Sequence, residues 1–445
     1  MKTKMQEICV SAVLLSGSFL SFQVQAAGFA LIENSASGMG NAFAGGAASA
    51  EDASTVYFNP AGMMKLASEQ FVFAGHAIMP TAKFSNQGST LAASYSGQLM
   101  TGDAAQDGGN NALVPNIYYV RSIKPDVKFG MGINVPFGLS VKYDDNWVGR
   151  YHAVESELST LNINPSMAYQ YSDKLSLGFG VNFLSAAVIL SSAIDLGAMI
   201  LEPQQHDGFV YIKGDNSGDL SYGWNAGLLY EISNSTRIGL SYRSKIDNTL
   251  SGTANFTVPG SLSALTDTGL FVDSNVVADV SFPQTLSCSA YHQYSDLMEV
   301  MADITWTGWS SFQELRIRYD NPTQPDSVTT EDWKNTLRYA VGLNYKTYPK
   351  WLLRVGIAYD ETPVPNNQRR TPRIPDNNRL WLSFGSSYQW SASLLVDFGY
   401  SHLSIRNTDI HNEFEASSPQ LRSTLNGSYA SDVDILSLQL TWNLR

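Results

Sequence analysis

The chain has 445 residues, with 28 Lys and Arg against 40 Asp and Glu and a formal net charge of −12. That balance disfavours nucleic acid as a partner, because phosphate contacts need a basic face. Hydrophobic residues make up 44% and charged ones 15%, with 22 Tyr, 20 Phe and 9 Trp. Yet no stretch beyond the leader reaches 18 consecutive apolar residues, which excludes helical membrane spans.

Lys2 and Lys4, the apolar run Ile8–Leu20 and the small-residue site Val24-Gln25-Ala26 read as an export signal over residues 1–26, cleaved before Ala27. The run is shorter than the roughly 20 residues a spanning helix needs. Cys9 leaves with the signal, so Cys288 is the one remaining cysteine and no intrachain disulfide forms. Stability must come from extended hydrogen bonding and burial. From Ala27 to Leu66 the chain is rich in Gly, Ala and Ser and has no steady period. Small side chains bury little area and Gly carries a large ordering entropy, so this is a poor autonomous core. It suits threading a confined space, where backbone passes close to surrounding walls.

Beyond residue 67 the pattern changes to alternation. Leu175-Ser-Leu177-Gly-Phe179-Gly-Val181-Asn-Phe183 and Leu436-Ser-Leu438-Gln-Leu440-Thr-Trp442-Asn-Leu444 place apolar and small or polar residues on opposite strand faces. Any one such segment fits a soluble sandwich equally well. Number and length separate the readings: segments of about ten residues, the span of a tilted membrane strand, centre near Phe73, Tyr118, Gly132, Asn164, Gly180, Ala226, Leu240, Asp279, Asp303, Gly342, Gly356, Phe384, Phe398 and Leu438. An even count and abundant aromatic residues for interface girdles predict an all-β fold, a 14-stranded antiparallel transmembrane β-barrel. The long connections around Asn86–Asn110, Ser191–Asp219, Thr253–Asn275 and Asn407–Ser428 are expected outside the cell.

Three features carry mechanism. Asn59-Pro60-Ala61 combines a residue without an amide hydrogen with one that bonds readily to nearby backbone; by itself it also fits an ordinary turn. Pro136-Phe137-Gly138 follows the regular run Phe129–Val135. There Pro deletes a ladder hydrogen bond and Gly permits a bulge or bend, either to correct barrel shape or to leave an opening. Third, Val355, Ile357 and Tyr359 set the outward parity of one strand, which turns Arg354 and Asp360 inward; by the same argument Leu315, Ile317 and Tyr319 turn Arg316 and Arg318 toward the lumen. Lumen charges are either solvated and paired, or one of them meets a substrate carboxylate.

Ala27-Gly28-Phe29, Ser37-Gly38-Met39-Gly40 and Asn59-Pro60-Ala61 together make the chain resemble the outer-membrane long-chain fatty acid transport (FadL-type) family. The resemblance covers everything from Ala27 onward and implies a hatch over 27–66 plugging, from the periplasmic side, a barrel over 67–445. It implies that the third strand is kinked at Phe137-Gly138 to leave a side door, with Asn59 bonding its exposed backbone. It also implies that Phe29 lines an internal site, and that Arg316 and Asp360 match pocket residues. A basic residue the family carries on the fifth strand is missing from Ala187–Ser192. The expected partners are a long-chain fatty acid or another hydrophobic compound such as an alkane or aromatic hydrocarbon, and outer-membrane lipid. The expected protein is a multi-pass monomer without cofactor or metal. External capture is expected at Trp147–Tyr151 and Ala193–Pro203.

Two other classes stay in view. A lipase would need a Ser–His constellation, and none of His76, His152, His206, His292, His402 and His411 sits in one. A general porin would conduct ions steadily, whereas a plugged barrel conducts little.

Overall fold

The computed structural model describes residues 28–216 and 218–444; the export signal and Ala27 lie outside the described residues. Fourteen antiparallel strands form one closed sheet among those residues. They are β1 (Glu69–Asn86), β2 (Ala112–Lys124), β3 (Val127–Asn134, resuming at Gly138–Lys142), β4 (Glu155–Ser172), β5 (Leu175–Asp195), β6 (Ser221–Ser233) and β7 (Thr236–Arg243, resuming at Ile246–Thr257). The second half comprises β8 (Ser274–Phe282, resuming at Thr285–Gln293), β9 (Met298–Thr307, with Glu314–Tyr319), β10 (Thr336–Tyr348), β11 (Trp351–Asp360), β12 (Arg379–Gln389), β13 (Leu394–Ile405, with Thr408–Glu413) and β14 (Ser423–Asn443). Pairing of β1 with β14, from Gln70–Asn443 to Asn86–Gly427, closes the ring. Each expected strand centre lies in a different barrel strand.

Alternation sets the two faces. Phe179, Val341, Phe384, Phe398 and Leu438 point outward and are exposed, forming the lipid-facing band. Trp351, Trp390, Trp442, Tyr171 and Tyr294 ring it near the short turns, as an interface girdle requires. The long connections are more regular than expected: Asp207–Asp215 is a strand pairing with both β5 and the outer part of β7. They extend the wall beyond the bilayer.

Residues 28–66 fill the barrel interior with short helices, α1 (Ala36–Gly40), α2 (Gly46–Ser49) and α3 (Thr55–Phe58), and a 3-10 turn over Pro60–Lys65. The small residues have the expected use. At Gly356 of β11 a Cβ would stand 2.1 Å from the carbonyl carbon of Asn41, so only glycine lets the two backbones approach. Arg354 fastens the segment to the wall: buried, it bonds Glu51 at 2.9 Å and Asp397 at 3.2 Å.

Candidate functional site

The ladder between β2 and β3 runs from Lys124–Val127 up to Ile117–Ile133 and stops there. Above that point β2 keeps only its β1 partner, out to Ile78–Ala112. Past the kink β3 pairs with β4, from Gly138–Ser159 to Lys142–Glu155. The two edges rejoin only at an isolated bridge, Gly109–Val141. Pro136, which has no amide to donate, and Gly138 make this break, so the barrel flank has an interruption between its second and third strands.

Unpaired backbone at membrane depth costs several kcal/mol per group, and here the N-terminal segment satisfies it. Leu31 donates its amide to the Pro136 carbonyl at 2.8 Å, and Gly138 donates to the Phe29 carbonyl at 2.9 Å. Ala30 and Phe137 form an antiparallel bridge between them. The Thr160 hydroxyl accepts from the Phe137 amide at 3.1 Å and donates to its carbonyl at 2.5 Å. Asn116 edges the gap, accepting from the Val135 amide at 3.3 Å and donating to the Glu33 carbonyl at 2.9 Å.

Asn59 does not do this work, and the expectation that it bonds the kinked strand is corrected. Its Nδ2 donates to the Ala47 carbonyl at 2.6 Å and to Leu228 of β6 at 3.0 Å, while its Oδ1 accepts from the Ala61 amide at 3.0 Å. Pro60 and Ala61 lie against Gly178 of β5, where a Cβ would be 2.3 Å from the Ala61 nitrogen. The motif anchors the plug to β5 and β6, a few strands along the wall from the break.

Phe29 is buried in an aromatic box. Its ring centroid lies 4.7 Å from Trp309, 5.3 Å from Phe312, 5.4 Å from Trp333, 6.0 Å from Phe282 and 6.2 Å from Phe137. Above the box, an extracellular cavity of about 120 Å³ is lined by Leu190, Ile212, Phe256, Leu315, Ile317, Tyr319 and Arg373. Below it, a second cavity of about 120 Å³ lies between the N-terminal segment and the wall, lined by Ala30, Leu31, Tyr57, Arg243, Arg338 and Asp360. Phe29 and Leu31 border the flank opening, and Leu31 also lines the lower chamber.

Arg354 and Asp360 point inward as their parity requires, but Arg354 is committed to Glu51 and Asp397. Arg316 and Arg318 do not face the lumen. Leu315, Ile317 and Tyr319 line the upper cavity instead, and Arg316 pairs outside with Glu314 at 2.7 Å and Asp326 at 3.1 Å, Arg318 with Asp279 at 2.8 Å. The reason is depth. Glu314–Tyr319 belongs to the wall beyond the bilayer, where the outer face meets water and the apolar face turns in.

Arg373 is the cation of that chamber, and sequence reasoning missed it. Its Nη1 donates to the Glu155 carbonyl at 3.2 Å and the Ser156 hydroxyl at 2.7 Å. Burial pulls its pKa down to about 10. Among the described residues it makes no ion pair within 4.0 Å. Burial also lowers His152, on the same chamber, to about 4, so it is neutral at ordinary pH. Phe282, Trp309, Phe312 and Trp333 were likewise missed. The Trp309-Ser-Ser-Phe312 spacing in the sequence was a usable signal for two of them.

A closed barrel with its lumen plugged from within and its flank interrupted beside an aromatic box defines an outer-membrane transporter barrel, not an open porin. The chain belongs to the outer membrane protein transport protein family (OMPP1/FadL/TodX), whose model matches residues 17–444. It is 30% identical over 437 residues to outer membrane protein P1 of Haemophilus influenzae, covering 91% of this chain and 90% of that protein. It is 30% identical over 417 residues to the long-chain fatty acid transport protein of Escherichia coli O6:H1, covering 88% and 90%. The crystal structure of a Pseudomonas aeruginosa FadL homologue superposes with a TM-score of 0.87 at 27% identity, over 94% of this chain and all of that one. The protein is a multi-pass outer-membrane barrel of a transport family.

Proposed function

We propose that the protein takes up long-chain fatty acids or similar hydrophobic compounds, binds them inside the barrel, and releases them sideways between β2 and β3. The observation that carries this is the interrupted ladder above Ile117–Ile133, whose exposed edge is held by Phe29–Leu31 in place of a barrel strand. A plug made of chain terminus is easier to withdraw than a strand of the ring, because withdrawal breaks two backbone hydrogen bonds and leaves the barrel closed elsewhere.

The energetics favour a dry route. Each methylene moved out of water gains about 0.8 kcal/mol, so a sixteen-carbon tail gains on the order of 12 kcal/mol. A water-filled pore offers such a molecule nothing comparable. Arg373 in the upper chamber attracts a carboxylate while Leu190, Ile212 and Ile317 take the tail. The aromatic box is the next apolar station and Phe29 fills it, so an entering tail competes with that ring for the same space. Displacing Phe29 pulls Leu31 from Pro136 and uncovers the flank opening. The molecule then enters the bilayer without recrossing water.

The route is tested by deleting Pro136 and Phe137. Removing an even number preserves the in–out alternation of β3 and lets its ladder with β2 continue. Loss of uptake of radiolabelled hexadecanoic acid by cells, with normal amounts of folded barrel, supports lateral release; undiminished uptake contradicts it.

A further inference from the structure

The extracellular cap carries a Ser–His–Asn line that transport does not use. His152, in the connection between β3 and β4, places its Nδ1 3.1 Å from the Oδ1 of Asn412 and its Nε2 3.1 Å from the Oγ of Ser423, the first residue of β14. All three residues are buried. No sequence motif marks the arrangement, because its members lie as far as 271 positions apart and only the fold brings them together.

The direction of each proton follows from a fourth group. Asn412 Nδ2 donates to the Gln368 carbonyl at 2.9 Å. A carbonyl only accepts, so the amide nitrogen must face Gln368 and Oδ1 must face the imidazole. Oδ1 in turn only accepts, which places the ring proton on Nδ1. Nε2 is then bare, and the Ser423 hydroxyl must donate to it. A serine hydroxyl aimed at a bare imidazole nitrogen, on a ring held from its other side by a side-chain oxygen, is the arrangement of an activated nucleophile. Burial keeps the ring neutral, as a base must be, and also makes it a weak base, so turnover is slow.

The substrate side is present as well. His152 lines the upper chamber together with Leu190, Ile212, Ile317 and Arg373. Phe414 joins chamber and serine: its ring centroid stands 5.7 Å from the imidazole, and its amide donates to the Ser423 carbonyl at 2.8 Å. The apolar walls fit an acyl tail, and the Arg373 charge acts on His152 across the chamber, where it favours a developing oxyanion.

We propose that this chamber hydrolyses long-chain acyl esters, with Ser423 as nucleophile, His152 as general base and Asn412 as a positioning residue. The Ser423 oxygen bonds the ester carbonyl carbon while its proton passes to His152 Nε2. The bond from carbonyl carbon to alkoxy oxygen then breaks, and the alcohol departs with that proton. Water repeats the sequence on the acyl-serine, freeing the carboxylic acid and restoring the hydroxyl. This activity goes beyond transport and does not depend on lateral release.

The test gives purified full-length barrel p-nitrophenyl hexadecanoate and, separately, a hexadecyl fluorophosphonate, which traps activated serines. Ser423→Ala and His152→Ala should each slow nitrophenol release by roughly a hundredfold or more. Asn412→Leu should slow both hydrolysis and phosphonate labelling, and Asn412→Asp, which keeps the accepting oxygen, should restore both. Mass spectrometry of labelled wild type, which needs no variant to fold, should place the phosphonate on Ser423. Hydrolysis no faster than in micelles without protein, equal hydrolysis by folded Ser423→Ala, or a label on any other residue would overturn the proposal.

Discussion

Leu31 and Pro136 are joined by a 2.8 Å hydrogen bond from the amide of one to the carbonyl of the other, at the point where the barrel wall stops being continuous. Residues more than a hundred positions apart thus complete the wall at this point. The plug and the opening are one structure, so anything that moves Phe29–Leu31 changes the flank.

Phe29→Ala should weaken the plug without unfolding the barrel. Its ring is 3% exposed inside the box, and truncating a buried Phe typically costs about 3–5 kcal/mol. That cost falls on the N-terminal segment, because the fourteen-strand ladder does not depend on it. Hydrogen exchange should show faster exchange at Leu31 and Gly138, with β6 to β12 unchanged.

Arg373→Met should reduce uptake of a dilute fatty acid by roughly tenfold or more by removing the unpaired cation of the upper chamber, in line with roughly 1.5–3 kcal/mol for a hydrogen bond to a charged group. Arg316→Met should leave uptake near normal, since that side chain is paired with Glu314 and Asp326 on the water-facing side. Concentration-dependent uptake of labelled acid distinguishes the two. A larger defect at Arg316 would restore the lumen-side placement that the structure corrects.

Gly227→Ala should disturb the anchor of the plug. A Cβ there would lie 1.9 Å from Asn59 Oδ1, so Asn59 must move and give up its bonds to Ala47 and Leu228. The expected outcome is leak: single-channel conductance in planar bilayers and sensitivity to bulky antibiotics should both rise above wild type.

Glu331 predicts a pH effect in the extracellular cap. It is buried, its Oε2 accepts from Trp333 Nε1 at 2.9 Å, and burial raises its pKa from 4.5 to about 8. A raised folded-state pKa means the contribution is fully present below the unfolded value and is lost as pH climbs through about 8. Thermal unfolding should therefore show wild type losing stability relative to Glu331→Gln between about pH 5 and pH 9. Parallel curves for the two proteins would contradict this.

The regular wall was legible because alternation is a local signal, repeated in every strand. The same rule placed Arg354 and Asp360 inward correctly, since Leu353–Asp360 lies within the band where lipid demands an apolar exterior. It failed for Leu315–Tyr319, where water replaces lipid and the sign of the pattern reverses; nothing in five residues reports depth. The kink at Pro136-Phe137-Gly138 was visible from its composition. Its partner was not, since Asn59-Pro60-Ala61 fixes a local turn and says nothing of Leu228, 169 residues away. Arg373 escaped notice for a related reason: it lies in a connection without period.

The most direct measurement locks the plug in place. Ala30 and Phe137 are antiparallel bridge partners, and such pairs have Cα atoms about 4.5–5.5 Å apart, within the range a disulfide spans. Ala30→Cys with Phe137→Cys, in a Cys288→Ser background, should form a bond that holds the N-terminal segment against β3. Fatty acid uptake should be lost when the pair is oxidised and return on reduction. Equal uptake in the oxidised and reduced states would contradict lateral release through this opening.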